Sequence, residues 1–485
     1  MKNNIKHLIK YVISEIKIFS PEYIFLIIGT VFGLCFLFAT APLQAFDETE
    51  HFFRSYQVSE LDFLSNKTNA PNVAGVSDGT GYGGNIPVSV VDTASSLRWG
   101  IQTESGAKKG SFIKSRLITG LKVPLNSSVK KEVRFDNTAI YSPAGYIPQS
   151  LGIEFGKILN LGPVYLIYLG RLANLIVWLA LIFVAIRITP VGKWVFGAIA
   201  LNPASIFLAP TLSPDTFASG VIALSVALVL YWRAKDTKLS RKSVVLLTAL
   251  FTTLVLIKNV YAPIALILLT LPSSVMKNRL KVGIIAALAL ASVVWNIQVL
   301  PVTSGIPSYF GVAEHVSAID QIHFIINNFY SFIKILAWNI IGSPSVLVPY
   351  QYASVAADNV IPYWSVVLWM FALVLTFLIR SETIVRRVVT TRLRLIFASS
   401  VVLIAIAIMI SLYLGWSPVG SKMMSGIQGR YFIPISFILM PVFITQGIYI
   451  NDSKKAMRLA YGAIAVSIVG ALLVVAIRYW HGINT

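Results

Sequence analysis

Residues 23–54 read YIFLIIGTVFGLCFLFATAPLQAFDETEHFFR, and this stretch decides the fold. Its first part, Tyr23 to Ala41, is an almost wholly apolar run of the length, about 17–25 residues, that a helix needs to cross a bilayer. Its second part, Phe46 to Arg54, carries three carboxylates, an imidazole and a guanidinium. Charge so close to hydrocarbon is costly and usually has a function, although a solvated flank with aromatic anchors is the alternative.

The composition extends the membrane assignment to the whole chain. Of its 485 residues, 56% are hydrophobic and only 12% are charged, against about 25% charged in soluble proteins. The formal net charge of +20 is read as a topology signal, because positive residues gather in cytoplasmic loops. No basic run with interleaved aromatics indicates a nucleic-acid face. The single cysteine, Cys35, excludes an internal disulfide.

We therefore predict an all-α polytopic membrane protein with a long first periplasmic loop that contains short β-strands. Weak alternation over Phe112–Leu121 and Val129–Phe135 favours strands or a hairpin, whereas the Gly-rich stretch Gly75–Gly84 is expected to be irregular. The predicted parts are a cytoplasmic N-terminus (1–20), the first transmembrane helix (21–41), the periplasmic loop with the acidic motif (42–142) and a multi-span domain (143–485).

Apolar runs predict about 11 transmembrane helices in all. The segment 321–341 is apolar but carries His323 and Lys334, so we predict a helix lying on the outer surface. The short pair around Lys258 is either two half-length helices or one re-entrant hairpin. The spans predicted after the first are Gly162–Arg187, Trp194–Pro210, Pro214–Trp232, Ser243–Ile257, Tyr261–Leu271, Val282–Leu300, Pro362–Ile379, Leu395–Gly415, Tyr431–Ile450 and Leu459–Ile477.

The distribution of Lys and Arg orients these spans. About half of the 40 Lys and Arg residues fall in loops that this topology places in the cytoplasm, and the outer loops 211–213 and 301–322 contain none. The asymmetry predicts a cytoplasmic N-terminus. It also places Asp47, Asp215, Lys258 and Arg430 at one membrane boundary, the outer one.

The charge types at this boundary suggest a chemistry. A carboxylate can act as a general base or a metal ligand, and Lys and Arg bind phosphate. A base beside cations at lipid level fits sugar transfer from a lipid-linked phosphate donor. The carboxylate would take the proton of the acceptor hydroxyl, and the cations would stabilise the departing phosphate.

Each of these residues also has a structural interpretation. Lys258 and Arg430 are long enough to reach lipid headgroups. Asp215 is a good N-cap for the helix that begins beside it. Arg171 is an alternative buried partner for Glu154 instead of a phosphate ligand. The basic segment 108–134 either holds an anionic acceptor or is a solvated surface.

Several motifs, in their order and spacing, resemble the GT-C superfamily of membrane glycosyltransferases. The resemblance is closest to a large bacterial membrane family of unknown function that is grouped with those enzymes, and it covers nearly the whole chain. The motifs are Asp47-Glu48-x-x-His51-x-x-Arg54, Tyr141-Ser142-Pro143-x-x-Tyr146-x-Pro148-Gln149, Arg171-x-x-Asn174, Ser213-x-Asp215, Lys258-x-x-Tyr261 and Gly429-Arg430-Tyr431.

The resemblance implies a GT-C-like fold and an inverting transfer from a polyprenyl-phosphate sugar at the periplasmic face of the bacterial inner membrane. Asp47 would be the base and Glu48 its companion. Size and layout are also similar to O-antigen-modifying glucosyltransferases, which implies an envelope glycan such as lipopolysaccharide as acceptor, with a donor-synthesising enzyme and a flippase as partners. We assign the donor phosphate to Lys258, Arg430, Arg171 and Tyr261, and substrate binding to His51, Arg54, Asp215, Tyr141 and Tyr431.

Two other function classes compete with this reading. A flippase or transporter of lipid-linked glycans needs a similar cavity, but it predicts charge through the depth of the membrane. A non-catalytic envelope-assembly partner would tolerate the loss of Asp47. The sequence names no certain cofactor, and His51 beside the acidic pair leaves the use of a divalent metal open.

Overall fold

The computed structural model describes residues 20–71, 80–98, 101–103, 108–305, 316–342, 361–378, 387–444, 453–481 and 483–484. Its α-helices, numbered in chain order, are α1 Pro21–Ala39, α2 Glu48–Ser59, α3 Val88–Arg98, α4 Lys114–Leu121, α5 Asp136–Ala139, α6 Ile147–Ile158, α7 Pro163–Ile188, α8 Lys193–Ala200, α9 Pro203–Leu208, α10 Pro214–Lys235, α11 Arg241–Ile257, α12 Asn278–Gly305, α13 Ala318–Asn327, α14 Phe329–Gly342, α15 Tyr363–Leu378, α16 Thr391–Trp416, α17 Ser436–Phe443 and α18 Ser453–Trp480.

The strands and the 3₁₀ segments lie mostly between the long helices. The strands are β1 Asn66–Thr68, β2 Gly81–Pro87, β3 Ile101–Thr103, β4 Lys108–Phe112, β5 Lys130–Arg134 and β6 Ile483–Asn484, and the 3₁₀ segments are Pro143–Tyr146, Asn259–Thr270 and Gly429–Tyr431.

Six described helices are long and apolar enough to cross a membrane. They begin as predicted near the starts of the apolar runs, within the few residues by which helix ends vary. The predicted total of about 11 is not confirmed, because several predicted spans are short helices in the structure. For example, Trp194–Pro210 is divided into α8 and α9. The six are Pro21–Ala39, Pro163–Ile188, Pro214–Lys235, Asn278–Val299, Thr391–Trp416 and Lys454–Trp480.

The predicted surface helix over 321–341 is two helices, α13 and α14, which meet at a bend of 110°. Taken together, the pair would count as a seventh span or as a re-entrant loop. The helices anchor the segment that leads to Arg430. Gln321 accepts a hydrogen bond from the Gly420 amide at 3.1 Å, and Asn339 donates to the Lys422 carbonyl at 3.0 Å.

Helices α1 and α7 pack at close range through two glycines. A Cβ added at Gly33 would lie 2.6 Å from Leu175, and one added at Gly29 would lie 2.8 Å from Leu179. The glycines are four residues apart and so share one helix face, which is the small-residue spacing that lets membrane helices approach each other. This contact sets the position of the C-terminal end of α1, where the acidic motif begins.

The segment between α1 and α6 folds onto the helices as a small extramembrane layer. Strand β2 pairs antiparallel with β1 on one side and with β5 on the other. The expectation of strand over Val129–Phe135 is confirmed by β5, but the expectation of loop is wrong for 81–84, which belong to β2. A Cβ at Gly83 would lie 1.9 Å from the Val133 carbonyl oxygen, so glycine here permits close strand pairing instead of breaking it.

The expectation of a strand over Phe112–Leu121 is wrong for 114–121, which form α4. Leu117 and Leu121, four residues apart, both pack against the core. A spacing of four places both side chains on one face of a helix, and this tertiary contact outweighs the weak alternation. Gly120 is also buried on α4, where a Cβ would lie 3.0 Å from Val164 of α7.

The pair around Lys258 consists of two helical segments. Helix α11 ends at Ile257 and the 3₁₀ segment begins at Asn259, while Lys258 itself is extended with φ −150° and ψ 119°. Because of this break, Lys258 belongs to neither helical segment. It therefore presents a cation at a defined point between two apolar segments.

Candidate functional site

The acidic motif begins at a left-handed residue. Asp47 precedes the first turn of α2 with φ 54° and ψ 15°, a conformation that costs an L-residue other than Asn or Asp roughly 1–2 kcal/mol. Asp tolerates this region better than most residues because its short polar side chain bonds locally. The turn separates the directions of two adjacent carboxylates, since Asp47 contacts Arg430 whereas Glu48 contacts Arg171.

Asp47 and Arg430 form the first of two ion pairs in the site. Arg430 donates from Nη2 to Asp47 Oδ2 at 3.1 Å. The arginine side chain is 4% exposed, whereas that of Asp47 is 28% exposed and so remains accessible to a substrate. The guanidinium Nε and Nη1 are buried and meet no hydrogen-bond acceptor among the described residues. Arg430 therefore has two N–H donors without an acceptor in the described part of the chain, beside the accessible carboxylate, as an anion-binding group requires.

Asp215 and Lys258 form the second ion pair. The Lys258 ammonium donates to Asp215 Oδ1, and both side chains are largely buried. The ammonium also lies 5.0 Å from the ring centroid of Tyr431 and 5.5 Å from that of Tyr141, within the range of cation–π attraction. The aromatic rings and the carboxylate fix the position of this cation. The alternative in which Lys258 reaches to lipid headgroups does not fit this burial.

The two ion pairs lie within electrostatic reach of each other. Burial raises the pKa of the Asp47 carboxyl above its usual range, although Arg430 and then Lys258 lower it, and Asp215 raises it further. A raised carboxyl pKa brings a general base closer to neutral pH, where proton transfer is most efficient. Two carboxylates and two cations balance in charge, so the site has no net charge until a substrate enters.

His51 is a buried, neutral imidazole within electrostatic reach of the two ion pairs. Burial, and then the charge of Arg430, lower the pKa of His51 to about 3. Its Nδ1 is hydrogen bonded to the Tyr146 hydroxyl at 2.8 Å, and its ring stacks on Tyr141 with centroids 6.4 Å apart. Burial raises the pKa of Tyr141 to about 12, so this phenol is also neutral. His51 thus supports Tyr141 and is not an open substrate ligand.

Glu48 and Arg171 bind each other and backbone groups instead of Asp47, Arg430, Asp215 or Lys258, so the structure does not support the catalytic and phosphate-binding roles to which we assigned them. Arg171 is fully buried and donates to both oxygens of Glu48, at 2.8 and 2.5 Å. Its other donations go to the carbonyls of Leu37, Thr40 and Ala41. Its five N–H groups are therefore satisfied by protein, which leaves none for a phosphate. The alternative partner that the sequence suggested, Glu154, instead pairs with Lys157.

Arg54 is a further correction. It is completely buried and donates to Gln57, to the Phe63 carbonyl and to the Tyr141 carbonyl at 2.9 Å. The last bond ties α2 to the segment that carries Tyr141, so Arg54 holds a site residue in place and does not face a substrate. Tyr261 acts in a similar way, because its hydroxyl lies 3.4 Å from the Tyr431 carbonyl.

The capping role considered for Asp215 belongs to its neighbour. Ser213 precedes α10, and its hydroxyl accepts a hydrogen bond from the Asp215 amide at 3.3 Å. The Asp215 carboxylate is thereby free to bind Lys258. Serine is as good an N-cap as aspartate. The Ser-x-Asp spacing was therefore the sequence signal that Ser213 caps the helix and that the Asp215 carboxylate has another partner.

Sequence reasoning missed Phe46 as a site residue. The centroid of its ring lies 4.2 Å from the Arg430 guanidinium carbon, and that of the adjacent residue Tyr431 lies 5.3 Å from the same carbon. An aromatic residue beside an acidic motif looks like a membrane-interface anchor, so only the contact reveals its role. The aromatic groups Phe46, Tyr141 and Tyr431 together surround both cations.

No group of three or more His, Cys, Asp or Glu side chains within the described ranges is arranged to hold a metal ion.

Comparison with known proteins gives a family instead of a function. No curated protein and no solved structure matches the chain. Residues 30–439 match the family described as predicted membrane protein (DUF2142). The match covers most of the chain, and with its several membrane-spanning helices this protein is a multi-pass membrane protein that belongs to the DUF2142 family.

Proposed function

We propose that the protein is a GT-C-type glycosyltransferase that moves a sugar from a polyprenyl-phosphate donor to a cell-envelope glycan. Asp47 takes the proton from an acceptor hydroxyl, and the acceptor oxygen forms a bond to the anomeric carbon of the sugar. The bond from that carbon to the phosphate oxygen breaks, and its electron pair leaves with the polyprenyl phosphate. Attack opposite the leaving group inverts the anomeric configuration.

The observation that carries the proposal is the accessible Asp47 carboxylate at 3.1 Å from a buried arginine whose Nε and Nη1 have no acceptor among the described residues. A base and an anion-binding group side by side are what transfer from a phosphate donor needs. Phosphate is a good leaving group, so the reaction requires one base and stabilisation of the departing charge, but no strong acid. Lys258 adds a second positive charge nearby, partly compensated by Asp215.

The pairing also couples the two halves of the reaction. Before transfer, the negative charge of Asp47 compensates Arg430. When Asp47 accepts the proton it becomes neutral, and the positive charge of Arg430 is then uncompensated. The attraction between Arg430 and the phosphate therefore increases as negative charge develops on the leaving phosphate oxygen. Stabilisation of the transition state beyond that of the bound substrate is what lowers a barrier.

The orientation and the substrates follow from the charge distribution and the resemblance. Lys and Arg concentrate in the loops on the side of the N-terminus, which supports a cytoplasmic N-terminus and a site facing the periplasm of a bacterial inner membrane. The likeness to O-antigen-modifying enzymes supports lipopolysaccharide or a related glycan as acceptor. A donor-synthesising enzyme and a flippase would then supply the polyprenyl-phosphate sugar at that face.

The test uses purified protein in liposomes with radiolabelled polyprenyl-phosphate glucose and lipopolysaccharide. Wild-type protein is expected to label the acceptor, and Asp47→Asn to lose at least about 100-fold in rate, as removal of a general base does. The matched control is Asp92→Asn, an exposed carboxylate in the extramembrane layer. Equal rates in wild type and Asp47→Asn would contradict the assignment of Asp47 as the general base. Movement of labelled lipid across the bilayer without any transfer would favour a flippase instead.

A further inference from the structure

We infer that the buried pair of Glu48 and Arg171 is a positioning device that holds the two ion pairs of the site in register. The inference rests on the proposed function for its kinetic consequence, but its structural part is independent. Glu48 directly follows Asp47, and it binds the turn that leads to Asp215. One carboxylate therefore connects the chain segments that carry both acidic residues of the site.

The first half of the argument is the end of α1. Arg171 on α7 donates to the carbonyls of Thr40 at 2.9 Å and Ala41 at 3.1 Å, with a longer contact of 3.4 Å to Leu37. Leu37 lies in the last turn of α1, where carbonyls lack partners within the helix, and Thr40 and Ala41 directly follow the helix, so one buried guanidinium binds the chain where α1 ends. Arg171 consequently fixes where α1 stops and where the acidic motif begins.

The second half is the turn before α10. Glu48 Oε1, besides accepting from Arg171, accepts from the Leu212 amide at 3.2 Å. Two side-chain amides also bind this turn. Asn174 donates to the Thr211 carbonyl at 2.7 Å, and Gln149 donates to the Ser213 carbonyl at 3.2 Å. Three side chains therefore bind the turn, which ends two residues before Asp215.

The position of Asn174 adds to this arrangement. It lies three residues after Arg171 and so on the same face of α7. A single helix therefore presents one cation to the end of α1 and one amide to the turn before α10. Small shifts in either contact would separate Asp47 from Arg430 or Asp215 from Lys258. Misplacement of reacting groups by about 1 Å costs on the order of 100-fold in rate.

A purely structural role for the pair is the competing explanation, and the chain contains a matched control for it. Arg134 and Asp136 are another buried ion pair, with both side chains 2% exposed and 2.7 Å between Nη2 and Oδ2. This pair lies in the extramembrane layer and contacts Gly81 and the Tyr82 amide. Loss of either carboxylate removes a negative charge that compensates a buried arginine, so both variants should lower the melting temperature.

The experiment compares Glu48→Gln, Glu48→Asp and Asp136→Asn with wild type in detergent, with every value expressed per folded molecule. The probe is undecaprenyl phosphate. Its affinity depends on the relative positions of Arg430 and Lys258 and can be measured without turnover. We expect Glu48→Gln to weaken binding about tenfold and to lower kcat about 100-fold, with Asp136→Asn unchanged in both. Glu48→Asp keeps the charge and should recover part of the binding.

Two outcomes separate this inference from the proposed function. If Glu48→Gln binds undecaprenyl phosphate as wild type does, the pair only stabilises the fold and the inference is overturned, whatever the transfer assay gives. If wild-type protein transfers no sugar but Glu48→Gln still binds the probe more weakly than Asp136→Asn, the positioning role stands and the transferase proposal fails.

Discussion

Asp47 and Arg430 are separated by 383 positions in the chain, and their side chains meet at 3.1 Å. The contact joins the end of the first membrane helix to the segment before α17. Among the described side chains, neither residue forms a second ion pair, although the charges of Lys258 and Asp215 also act on Asp47. The site therefore exists only when the two ends of the chain are packed together.

The pH dependence of transfer should report Asp47. A base acts when deprotonated, so kcat/KM is expected to fall as the pH drops through the pKa of Asp47, which burial raises above its usual range. Arg430 lowers that pKa. Arg430→Gln should therefore move the acidic limb of the profile to higher pH, in addition to weakening donor binding.

The control for this shift is Arg187→Gln, an exposed arginine at the end of α7. It removes the same charge from the chain without touching the site, and its acidic limb should coincide with that of wild type. A limb that does not move in Arg430→Gln would show that another group titrates.

Removal of Asp215 should destabilise the protein, because it leaves the Lys258 ammonium buried without its carboxylate. Breaking such a pair costs about 3–5 kcal/mol in free energy of unfolding. In the double variant Asp215→Asn, Lys258→Met the uncompensated charge is gone, and stability should return towards wild type. Transfer should stay low in the double variant, since the cation is missing. Recovery of transfer along with stability would argue against a role of Lys258 at the phosphate.

His51 should make the protein sensitive to acid. Its pKa is about 3 in the fold, because burial disfavours the charged imidazole, against about 6.5 in an unfolded chain. Below about pH 6.5 the unfolded state binds a proton that the folded state does not, so stability is complete above that pH and falls by about 1.4 kcal/mol per pH unit as the pH decreases towards 3.

The measurement is the melting temperature of wild type and His51→Gln in detergent between pH 7.5 and 4.5. The difference in stability between the two proteins should shrink as the pH falls, since glutamine does not titrate. A constant difference over this range would mean that His51 titrates normally.

Gly83→Ala should destabilise the extramembrane layer. The added Cβ would lie 1.9 Å from the Val133 carbonyl oxygen, so β2 and β5 must move apart, at a cost of about 1–3 kcal/mol. The control is Gly283→Ala on α12, where a Cβ has no neighbour within 4 Å and alanine should favour the helix. Limited proteolysis and thermal unfolding compare the two. Unchanged stability of Gly83→Ala would show that β2 and β5 do not pair at this close distance.

Much of the candidate site could be anticipated because ionisable residues near hydrocarbon are few. Asp47, Asp215, Lys258 and Arg430 were singled out by charge at a predicted boundary, and the structure brings these four together. The same logic also selected Glu48, which instead binds Arg171 in the protein interior. Adjacent carboxylates look alike in a sequence, and only the left-handed backbone at Asp47 separates their directions.

The sequence alone determined that this chain spans a membrane and where its long helices begin, because helix length and apolar composition are local properties. It also indicated which charged residues lie near the boundary. Only the tertiary structure decided which of them meet, that residues 81–84 of the Gly-rich stretch belong to a strand, and that Phe46 faces Arg430. Those outcomes depend on distant segments packing together, and ion pairs or strand pairing between residues far apart in the chain leave no periodic signal in the sequence.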